Sequence, residues 1–370
     1  MSSKFQYSFW EKETFLKPYD LIIIGAGIVG LSAALFTKRN HPSTRILVLD
    51  KGFMPEGAST RNAGFACVGS ITEYIADLEK ESAEGVKQRI VNRYRGLNLL
   101  KETLGENHIG YDACGGYELF TEEQPFEEAS EYIPKFNKWM AELTGEEKVY
   151  KAGKLNGYHV IHNRLEGALH PGSMMQRLLQ LVRAQDIEVK WNVKVEGVEQ
   201  DGSVLLGNEI RLKADKVLVA ANGFVKKLLP EVKVEPARGF VFVTNELEEM
   251  SWKGTFHHDR GYIYFRNISN RLLMGGARNI ATIQETTDQF GVNEKIKDHL
   301  IKFSKDVLGL GKQWQIESEW SGIMGFTESK TPILERLDDH RFVAAGLSGM
   351  GVAIGTKIGS LAASMVMGKK

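Results

Sequence analysis

The chain has 370 residues, which exceeds the length that one hydrophobic core commonly covers and therefore predicts two domains. Its 42% hydrophobic and 25% charged residues are typical of a globular protein. The 47 basic and 47 acidic side chains give a formal net charge of zero, which argues against nucleic acid or an anionic membrane surface as a partner, because both favour clustered Lys and Arg.

The N-terminal segment and the cysteines bear on where the protein works. Residues 1–20 are polar and aromatic and lack the apolar core of a signal peptide. No stretch approaches the length that spans a bilayer. Two cysteines, Cys67 and Cys114, cannot build a disulfide framework, so a reducing compartment is expected. We therefore predict a cytoplasmic protein without a transmembrane segment.

The first elements of the chain form one βαβ unit. Tyr19–Ile24 is a short β-branched run of the kind that makes a buried parallel strand. A glycine-rich turn follows at residues 25–30, and residues 31–36 predict a helix. Residues 45–50 are the next strand, and the connections between these elements are short.

Strands of two kinds are predicted along the rest of the chain. Most are buried hydrophobic runs typical of a parallel sheet, whereas residues 241–243 and 262–265 alternate with turns and predict antiparallel strands. The remaining predicted elements are helices over residues 75–105 and 173–184, an acidic loop or helix start over 122–131, strands over 187–195, 210–212, 216–221 and 341–346, and a last helix over 352–367.

Gly25, Gly27 and Gly30 form the pattern G-x-G-x-x-G between the first strand and the first helix. The first glycine permits a tight turn, the second lets the backbone approach a pyrophosphate, and the third allows close packing of helix on strand. Asp50 lies 20 residues after Gly30, where its carboxylate can accept hydrogen bonds from an adenosine ribose. The sequence therefore predicts a dinucleotide site, which NAD and FAD would both fit.

A second glycine-rich turn, at residues 346–351, lies between the last strand and the last helix. Such a helix start brings backbone N–H groups and the positive end of the helix dipole towards a bound group. A reduced flavin gains negative charge at its pyrimidine end, which this arrangement would stabilise. The alternative is a glycine-lined packing contact between the terminal helix and the sheet.

Three segments, residues 19–50, 57–64 and 341–351, resemble the D-amino-acid oxidase family of flavoenzymes. That family includes glycine oxidase, sarcosine oxidase and relatives of D-amino-acid dehydrogenase. Weaker matches at residues 216–223, 236–239 and 262–276 extend the resemblance along the chain. The resemblance implies an α/β fold: a discontinuous Rossmann-type FAD-binding domain and an α+β substrate domain with an antiparallel sheet.

The matching segments set the predicted domain boundaries. Residues 1–85, 155–235 and 320–370 are assigned to the FAD-binding domain, and residues 86–154 and 236–319 to the substrate domain. The reason is that the segments matching FAD contacts fall in all three parts of the first set.

The resemblance also implies which residues contact FAD. Arg61 has a local rationale as a cation beside a diphosphate, although a solvated loop arginine is the alternative. Cys67 could suggest a covalent flavin link, but a small buried residue explains it as well, so we predict noncovalent FAD and no metal. The implied contacts are Gly25, Gly27, Ile28, Val29, Gly30, Asp50, Lys51, Ser59, Arg61, Asn62, Ala63, Gly64, Val195, Ala221, Gly223, Gly346, Ser348, Gly349, Met350, Gly351 and Val352.

Substrate residues are expected on the antiparallel strand near residue 262. Tyr262 matches the tyrosine that touches substrate in related oxidases, and Tyr264 and Arg266 alternate onto the same face. Packing is the ordinary role of a strand tyrosine, and surface exposure that of a strand arginine. His257 and His258 precede this strand and could supply a base, although an exposed loop pair is the plainer interpretation.

Met324 is a departure from the family pattern. Relatives that oxidise amino acids carry an arginine near this position, which forms a fork with the substrate carboxylate. The sequence therefore predicts that α-amino acids are poor substrates compared with carboxylate-free amines, unless Arg266 or Arg278 supplies the cation.

These features predict an FAD-dependent enzyme that takes a hydride from the α-carbon of an amine or amino acid, giving an imine that hydrolyses. One alternative is an FAD-dependent 2-hydroxy-acid dehydrogenase, which would need a base such as a histidine. Another is an FAD-binding protein without turnover. The electron acceptor, oxygen or a quinone or other carrier, is left open.

Overall fold

The computed structural model describes residues 6–207, 210–311 and 313–368. Within them, two sheets of eight strands each and a two-stranded ribbon are combined with helices. This architecture confirms the predicted fold class, a Rossmann-type sheet with a second, largely antiparallel sheet. No helix within these three ranges is long and apolar enough to cross a membrane.

The strands fall into the two sheets in an interleaved order. They are β1 Tyr19–Ile24, β2 Ile46–Leu49, β3 Phe65–Ala66, β4 Gly116–Phe120, β5 Tyr150–Leu155, β6 Tyr158–Asn163, β7 Gly167–Ala168, β8 Glu188–Lys190, β9 Val195–Val198, β10 Ser203–Leu206, β11 Arg211–Val219, β12 Glu235–Thr244, β13 Thr255–His258, β14 Ile263–Ile268, β15 Arg271–Gly276, β16 Ile316–Phe326, β17 Ile333–Arg336 and β18 Arg341–Ala345.

The helices pack on the faces of both sheets. The α-helices are α1 Phe9–Thr14, α2 Ile28–Asn40, α3 Ala58–Arg61, α4 Ile71–Leu78, α5 Ala83–Leu104, α6 Glu123–Glu131, α7 Ile133–Thr144, α8 Pro171–Arg183, α9 Thr282–Glu285, α10 Glu294–Asp306 and α11 Gly351–Val366, and short 3-10 helices cover Glu106–Ile109, Asn222–Lys227 and Arg278–Ala281.

The first sheet has the order β17-β18-β11-β1-β2-β8, with β10 and β9 attached to β11. Strands β18, β11, β1, β2 and β8 run parallel, so their carboxyl ends meet at one edge. On one face, Leu31 of α2, Leu100 of α5 and Ala353 of α11 belong to a single buried cluster. The helix–sheet sandwich therefore fixes the edge at which the glycine-rich turns emerge.

The second sheet has the order β16-β12-β15-β14-β13-β4-β6-β5. Its neighbours are antiparallel except for β13 and β4, which run parallel. On one face Phe256 and Phe265 stack with centroids 4.6 Å apart, and Leu300 and Phe303 of α10 cover them. Because side chains alternate along a strand, the intervening residues face the opposite side of the sheet.

Two predicted elements differ from the structure for local reasons, and a third, predicted as a loop or a helix start, takes the second of these forms. The predicted helix over residues 75–105 is divided into α4 and α5, because Ser82 caps a new helix by accepting a hydrogen bond from the Gly85 N–H. The predicted strand over 187–195 is divided into β8 and β9, because Asn192 adopts φ of 57°. The acidic segment starting at Glu122 forms helix α6.

The predicted domain boundaries agree only in part with the division of the strands between the two sheets. Strand β6 and helix α5 do not follow the predicted boundaries: β6 lies in the second sheet and α5 packs with the helices of the first. Strand β16 crosses the boundary at residue 320. The division into two folding units itself stays a prediction, and residues 1–5 and 369–370 of the predicted ranges lie outside the described residues.

A buried ion-pair network joins α4, α5 and the loop before β17. Arg93 donates two hydrogen bonds to Glu73, 2.9 and 2.8 Å long, and the two side chains are 4% and 20% exposed. Lys330 lies 2.6 Å from the carboxylate of Asp77 and 3.6 Å from that of Glu73. Burial alone would raise the pKa of Glu73, but the Arg93 guanidinium lowers it to about 2.

Replacing Arg93 tests this network. Arg93→Met should lower the free energy of unfolding by about 3 kcal/mol at neutral pH, because it leaves a buried carboxylate without its bidentate partner. The folded-state pKa of Glu73 is lowered from 4.5 to about 2, so the pair stabilises the protein above about pH 4.5 and loses that effect as pH falls towards 2. Denaturant unfolding at several pH values measures the difference.

The matched control is Lys138→Met, which breaks a pair whose side chains are 75% and 51% exposed. That change should cost less than about 1 kcal/mol. Equal stability of the two variants at neutral pH would contradict the role given to Arg93.

Candidate active site

A cavity of about 810 Å³ opens between the carboxyl edge of the first sheet and one face of the second sheet. This volume lies in the range of small-molecule sites, about 300–1,000 Å³. Its lining comes from the turns after β1, β2, β11 and β18 on one side and from β12–β16 on the other. The two sheets thus contribute opposite walls.

The turn after β1 has the geometry that the glycine pattern predicts. Gly25 adopts φ of 110°, and a Cβ there would lie 2.6 Å from the Ala220 carbonyl oxygen. A Cβ on Gly30 would lie 1.9 Å from the Gly25 oxygen, so only glycine lets α2 start this close to the strand. Gly25 and Gly27 line the cavity, and Gly30 packs behind them.

Asp50 lies at the end of β2 and lines the cavity. Its carboxylate accepts hydrogen bonds from the N–H groups of Ala26 at 2.7 Å and Gly52 at 2.9 Å. Burial raises the pKa of Asp50, and the two N–H groups oppose that shift. Each oxygen of this carboxylate accepts only one of these hydrogen bonds, so it keeps lone pairs that could accept hydrogen bonds from a ribose.

The loop over residues 57–64 lies next to the same turn. The Ser59 hydroxyl accepts a hydrogen bond of 3.0 Å from the Ile28 N–H, the first amide of α2. The Arg61 guanidinium donates to the Glu56 and Ser321 carbonyl oxygens at 2.9 Å each and lies over the Phe290 ring. Arg61 lines the cavity as a cation, and its hydrogen bonds also connect this loop to strand β16 of the second sheet.

The second glycine-rich turn is held by the turn that follows β11. The Asn222 carboxamide oxygen accepts hydrogen bonds from the Gly346 N–H at 3.0 Å and from the Leu347 N–H at 3.4 Å. Helix α11 then starts at Gly351, and its N-cap residue Met350 makes no side-chain capping bond. Gly351 and Val352 line the cavity, so the uncapped first turn of α11 lies beside it, as expected for a helix start that binds a flavin.

One transverse row of side chains forms the facing wall. His257 of β13 pairs with Tyr264 of β14, which pairs with Gly275 of β15. A Cβ on Gly275 would lie 2.7 Å from the Tyr264 ring, so the glycine makes room for that ring. Phe65 packs its edge against both His257 and Tyr264, with centroids 5.2 and 5.6 Å away.

The two predicted tyrosines differ in environment. Tyr264 is buried deeply enough that its pKa rises to about 12, and no hydrogen-bond partner of its hydroxyl is found in the described part of the chain. Tyr262 is 43% exposed at the rim of the cavity. Met324 also lines the cavity, and its sulfur lies 3.9 Å from where a side chain on Gly349 would begin.

Arg266 and Arg278 have different surroundings. The Arg266 guanidinium donates to the Gly64 and Leu169 carbonyl oxygens, both at 2.9 Å, and does not line the cavity. Arg278 lines the cavity and lies over the Phe326 ring, 4.6 Å from its centroid. Burial lowers the pKa of both guanidinium groups. Arg278 has no carboxylate partner among the described residues.

The sequence did not predict a cluster of three side chains beside the cavity. The Cys67 thiol, the Glu166 carboxylate and the His257 imidazole lie within 4.8 Å of one another. His257 was weighed as a base from the sequence, but Glu166 was not considered, because it lies 99 residues after Cys67 and 91 before His257 and no motif contains it. The absence of a metal and the noncovalent state of FAD stay predictions.

Most of the predicted contacts gather at this one cavity. Gly30, Gly64, Gly223, Gly346 and Arg266 lie behind its walls, where they pack or position the lining. Those that line it are Gly25, Gly27, Ile28, Val29, Asp50, Lys51, Ser59, Arg61, Asn62, Ala63, Val195, Ala221, Tyr262, Tyr264, Met324, Ser348, Gly349, Met350, Gly351 and Val352.

Comparison with protein families identifies the group to which this cavity belongs. A family model described as "DAO: FAD dependent oxidoreductase" matches residues 20–365. The chain belongs to the DAO family of FAD-dependent oxidoreductases. Its cofactor is FAD, which confirms the prediction drawn from the glycine-rich turns together with the family resemblance.

Individual relatives are distant over most of the chain. The chain is 23% identical to the probable oxidoreductase OrdL of Haemophilus influenzae, covering 96% of this chain and 84% of that protein. It is 38% identical over 104 residues to sarcosine oxidase subunit beta of an Arthrobacter species, 26% of each chain. Glycine oxidase from Geobacillus kaustophilus superposes with a TM-score of 0.76 at 18% identity, covering 95% of both chains. That likeness establishes the fold.

The residues of the cavity fit FAD. Gly25 and Gly27 leave space in which a pyrophosphate could approach the start of α2, and the Asp50 carboxylate could accept a hydrogen bond from a ribose. The start of α11, which no side chain caps, would lie at the opposite end of the cofactor. Lys51 lines the cavity and lies over the Phe224 ring, 3.7 Å from its centroid, so it would add positive charge near a bound phosphate group.

Asp50→Ala tests the ribose contact. Loss of a charge-assisted hydrogen bond of about 1.5–3 kcal/mol should raise the dissociation constant of FAD roughly 10- to 150-fold. Flavin fluorescence during titration of the apoprotein with FAD measures this constant.

The matched control is Glu196→Gln, because Glu196 lines the same cavity with a side chain that is 52% exposed. It should change the constant little. An unchanged FAD affinity in Asp50→Ala would show that Asp50 does not meet the ribose.

Proposed function

We propose that the protein oxidises a carboxylated amine, an amino acid or an N-substituted amino acid, by removing a hydride from its α-carbon. The product is an imine, which water hydrolyses. The observation that carries this proposal is Arg278, a partly buried cation on the cavity wall whose guanidinium forms no salt bridge within the described residues, since Glu285, the acidic group that acts on it, is bound to Arg238. Membership of the DAO family supports the oxidation.

An unpartnered guanidinium at this place favours an anionic ligand. Burial lowers the pKa of Arg278, which means that its charge is incompletely compensated by the protein. A substrate carboxylate would supply the missing countercharge through two parallel hydrogen bonds. Arg238, on strand β12, shows the contrast, because its guanidinium donates two hydrogen bonds to the Glu285 carboxylate, 2.8 and 2.9 Å long.

The other lining residues can orient the rest of the substrate. The Tyr264 hydroxyl can donate or accept a hydrogen bond inside the cavity, and its raised pKa keeps it protonated at neutral pH. Met324 and Phe65 provide apolar surface that excludes water from the reacting carbon. Bound FAD supplies the oxidising chemistry by accepting the hydride.

A 2-hydroxy acid is the second candidate substrate. The observation that favours it is His257, which lines the same cavity and is paired with Glu166. A hydroxyl must lose its proton when the carbon is oxidised, and a histidine is the usual acceptor. Both candidates carry a carboxylate, so both depend on Arg278.

A panel of matched substrates tests the proposal. Sarcosine, L-proline, D-alanine and lactate are compared with dimethylamine, pyrrolidine, ethylamine and ethanol by anaerobic bleaching of the flavin. The carboxylated member of at least one pair should reduce the flavin faster. Arg278→Gln should then raise the KM of that substrate about 10- to 150-fold, because a charged hydrogen-bonded contact of about 1.5–3 kcal/mol is lost.

The matched control is Arg260→Gln, which removes an exposed arginine that also lines the cavity. It should change the KM far less than Arg278→Gln. A wild type that prefers the carboxylate-free member of each pair would contradict the proposal and support the expectation drawn from Met324. Bleaching by no member of the panel would favour an FAD-binding protein without turnover.

A further inference from the structure

We infer that His257, held in place by Glu166, is the group that accepts the proton from the heteroatom of the substrate when its α-carbon is oxidised. This inference rests on the proposed function and deepens it. It adds a requirement on the substrate, which must carry an O–H or N–H group next to the oxidised carbon.

The geometry gives His257 one fixed nitrogen and one free nitrogen. Its Nε2 lies 3.1 Å from a Glu166 carboxylate oxygen. No partner of Nδ1 is found in the described ranges, and Nδ1 lies 4.0 Å from where a side chain on Gly261, another cavity-lining residue, would begin. A neutral imidazole that donates Nε2–H to the carboxylate therefore presents the Nδ1 lone pair to the cavity.

Glu166 is built to hold this arrangement. Its side chain is 2% exposed, and its other oxygen accepts hydrogen bonds from the N–H groups of Val68 at 3.2 Å and Gly69 at 3.1 Å. These two bonds leave the oxygen that faces His257 for the imidazole alone. A buried carboxylate with a fixed orientation fixes both the ring plane and the tautomer of its histidine partner.

The surroundings of His257 stabilise its protonated form. Burial alone would lower the pKa of His257, but the Glu166 carboxylate, with smaller contributions from Glu118 and Glu73, leaves it raised. Cys67 also faces the pair, and burial keeps its thiol protonated by raising its pKa. Arg93 is the nearby cation, and its charge is engaged by Glu73.

The proton step balances with the proposed oxidation. The O–H or N–H bond of the substrate breaks, and its electron pair stays on the heteroatom to form the double bond to carbon. The proton goes to Nδ1 of His257, and Glu166 stabilises the resulting imidazolium. The α-hydrogen leaves with two electrons, for which bound FAD is the acceptor.

The protonation state of His257 sets the direction in which the rate of flavin reduction changes with pH. Only neutral His257 accepts a proton, so the rate should rise with pH through the pKa of His257, which lies above the usual 6.5. In Glu166→Gln the carboxamide can donate to Nε2, which moves the imidazole proton to Nδ1 and removes the acceptor. Both the rate at high pH and the pKa of the remaining acid limb should therefore fall.

The experiment measures His257 directly as well as through turnover. The holoprotein is labelled with ¹³C-histidine, the His257 ring signal is assigned by its loss in His257→Gln, and its pH titration is followed by NMR. The same proteins are assayed for the pH dependence of anaerobic flavin reduction by the best substrate of the panel. In Glu166→Gln the pKa of His257 should fall by about one or more, since an adjacent opposite charge shifts a pKa by about 1–3.

Glu118→Gln is the matched control, because Glu118 faces His257 across the β4–β13 pair without a hydrogen bond to it. It should lower the pKa of His257 less than Glu166→Gln does. Equal shifts in the two variants would overturn the inference, and a wild-type pKa of His257 at or below 6.5 would overturn it even if Glu166→Gln failed to fold.

The kinetic arm separates this inference from the proposed function. An acid limb that does not move in Glu166→Gln would overturn the proton-accepting role while leaving the oxidation of carboxylated substrates intact. If no substrate of the panel bleaches the flavin, the proposed function fails, and the NMR titration alone decides whether Glu166 controls the protonation of His257.

Discussion

The parallel pairing of β1 with β2 and β11 is the constraint on which the site depends. Because parallel strands end at the same edge, the residues that follow them meet there although they are far apart in the chain. Gly25 follows β1, Asp50 follows β2 and Asn222 lies in the turn after β11. The parallel direction of these strands therefore brings the residues of this cavity wall together, and the individual turns set only their local geometry.

The opposite wall depends on a different constraint, the alternation of side chains in the second sheet. Phe256 and Phe265 stack on the core side, so His257 and Tyr264 must point to the cavity. Gly275 is part of the same design, since a larger residue there would displace the Tyr264 ring. A core of stacked aromatic rings thereby fixes the register of the polar groups on the other face.

The sequence was sufficient to predict the parts of the site whose residues lie in one short segment of the chain. The G-x-G-x-x-G turn predicted a dinucleotide site from a few neighbouring residues, and the second glycine-rich turn together with the family resemblance predicted FAD rather than NAD. The sequence was insufficient for assigning a strand to one of the two sheets. Strand β6, which lies in the second sheet, was assigned to the FAD-binding domain because a short alternating strand fits either sheet. Glu166 could not be predicted as the partner of His257, since its role depends on burial and on contacts that no spacing in the chain expresses.

The charges of the two walls impose a common condition on the substrate. Arg278 is a partly buried cation that forms no salt bridge within the described residues and feels the Glu285 carboxylate only at longer range, and the Glu166 carboxylate beside His257 is balanced only when the imidazole is protonated. A substrate that brings one carboxylate and gives up one proton would compensate both groups at once, because its carboxylate neutralises Arg278 and its proton neutralises the negative pair. A carboxylate-free neutral amine would leave Arg278 without a salt-bridge partner, and a charge that is only partly compensated is costly in a site from which water is excluded. The electrostatics of the cavity thus favour substrates that join an acidic group and a heteroatom proton on one α-carbon.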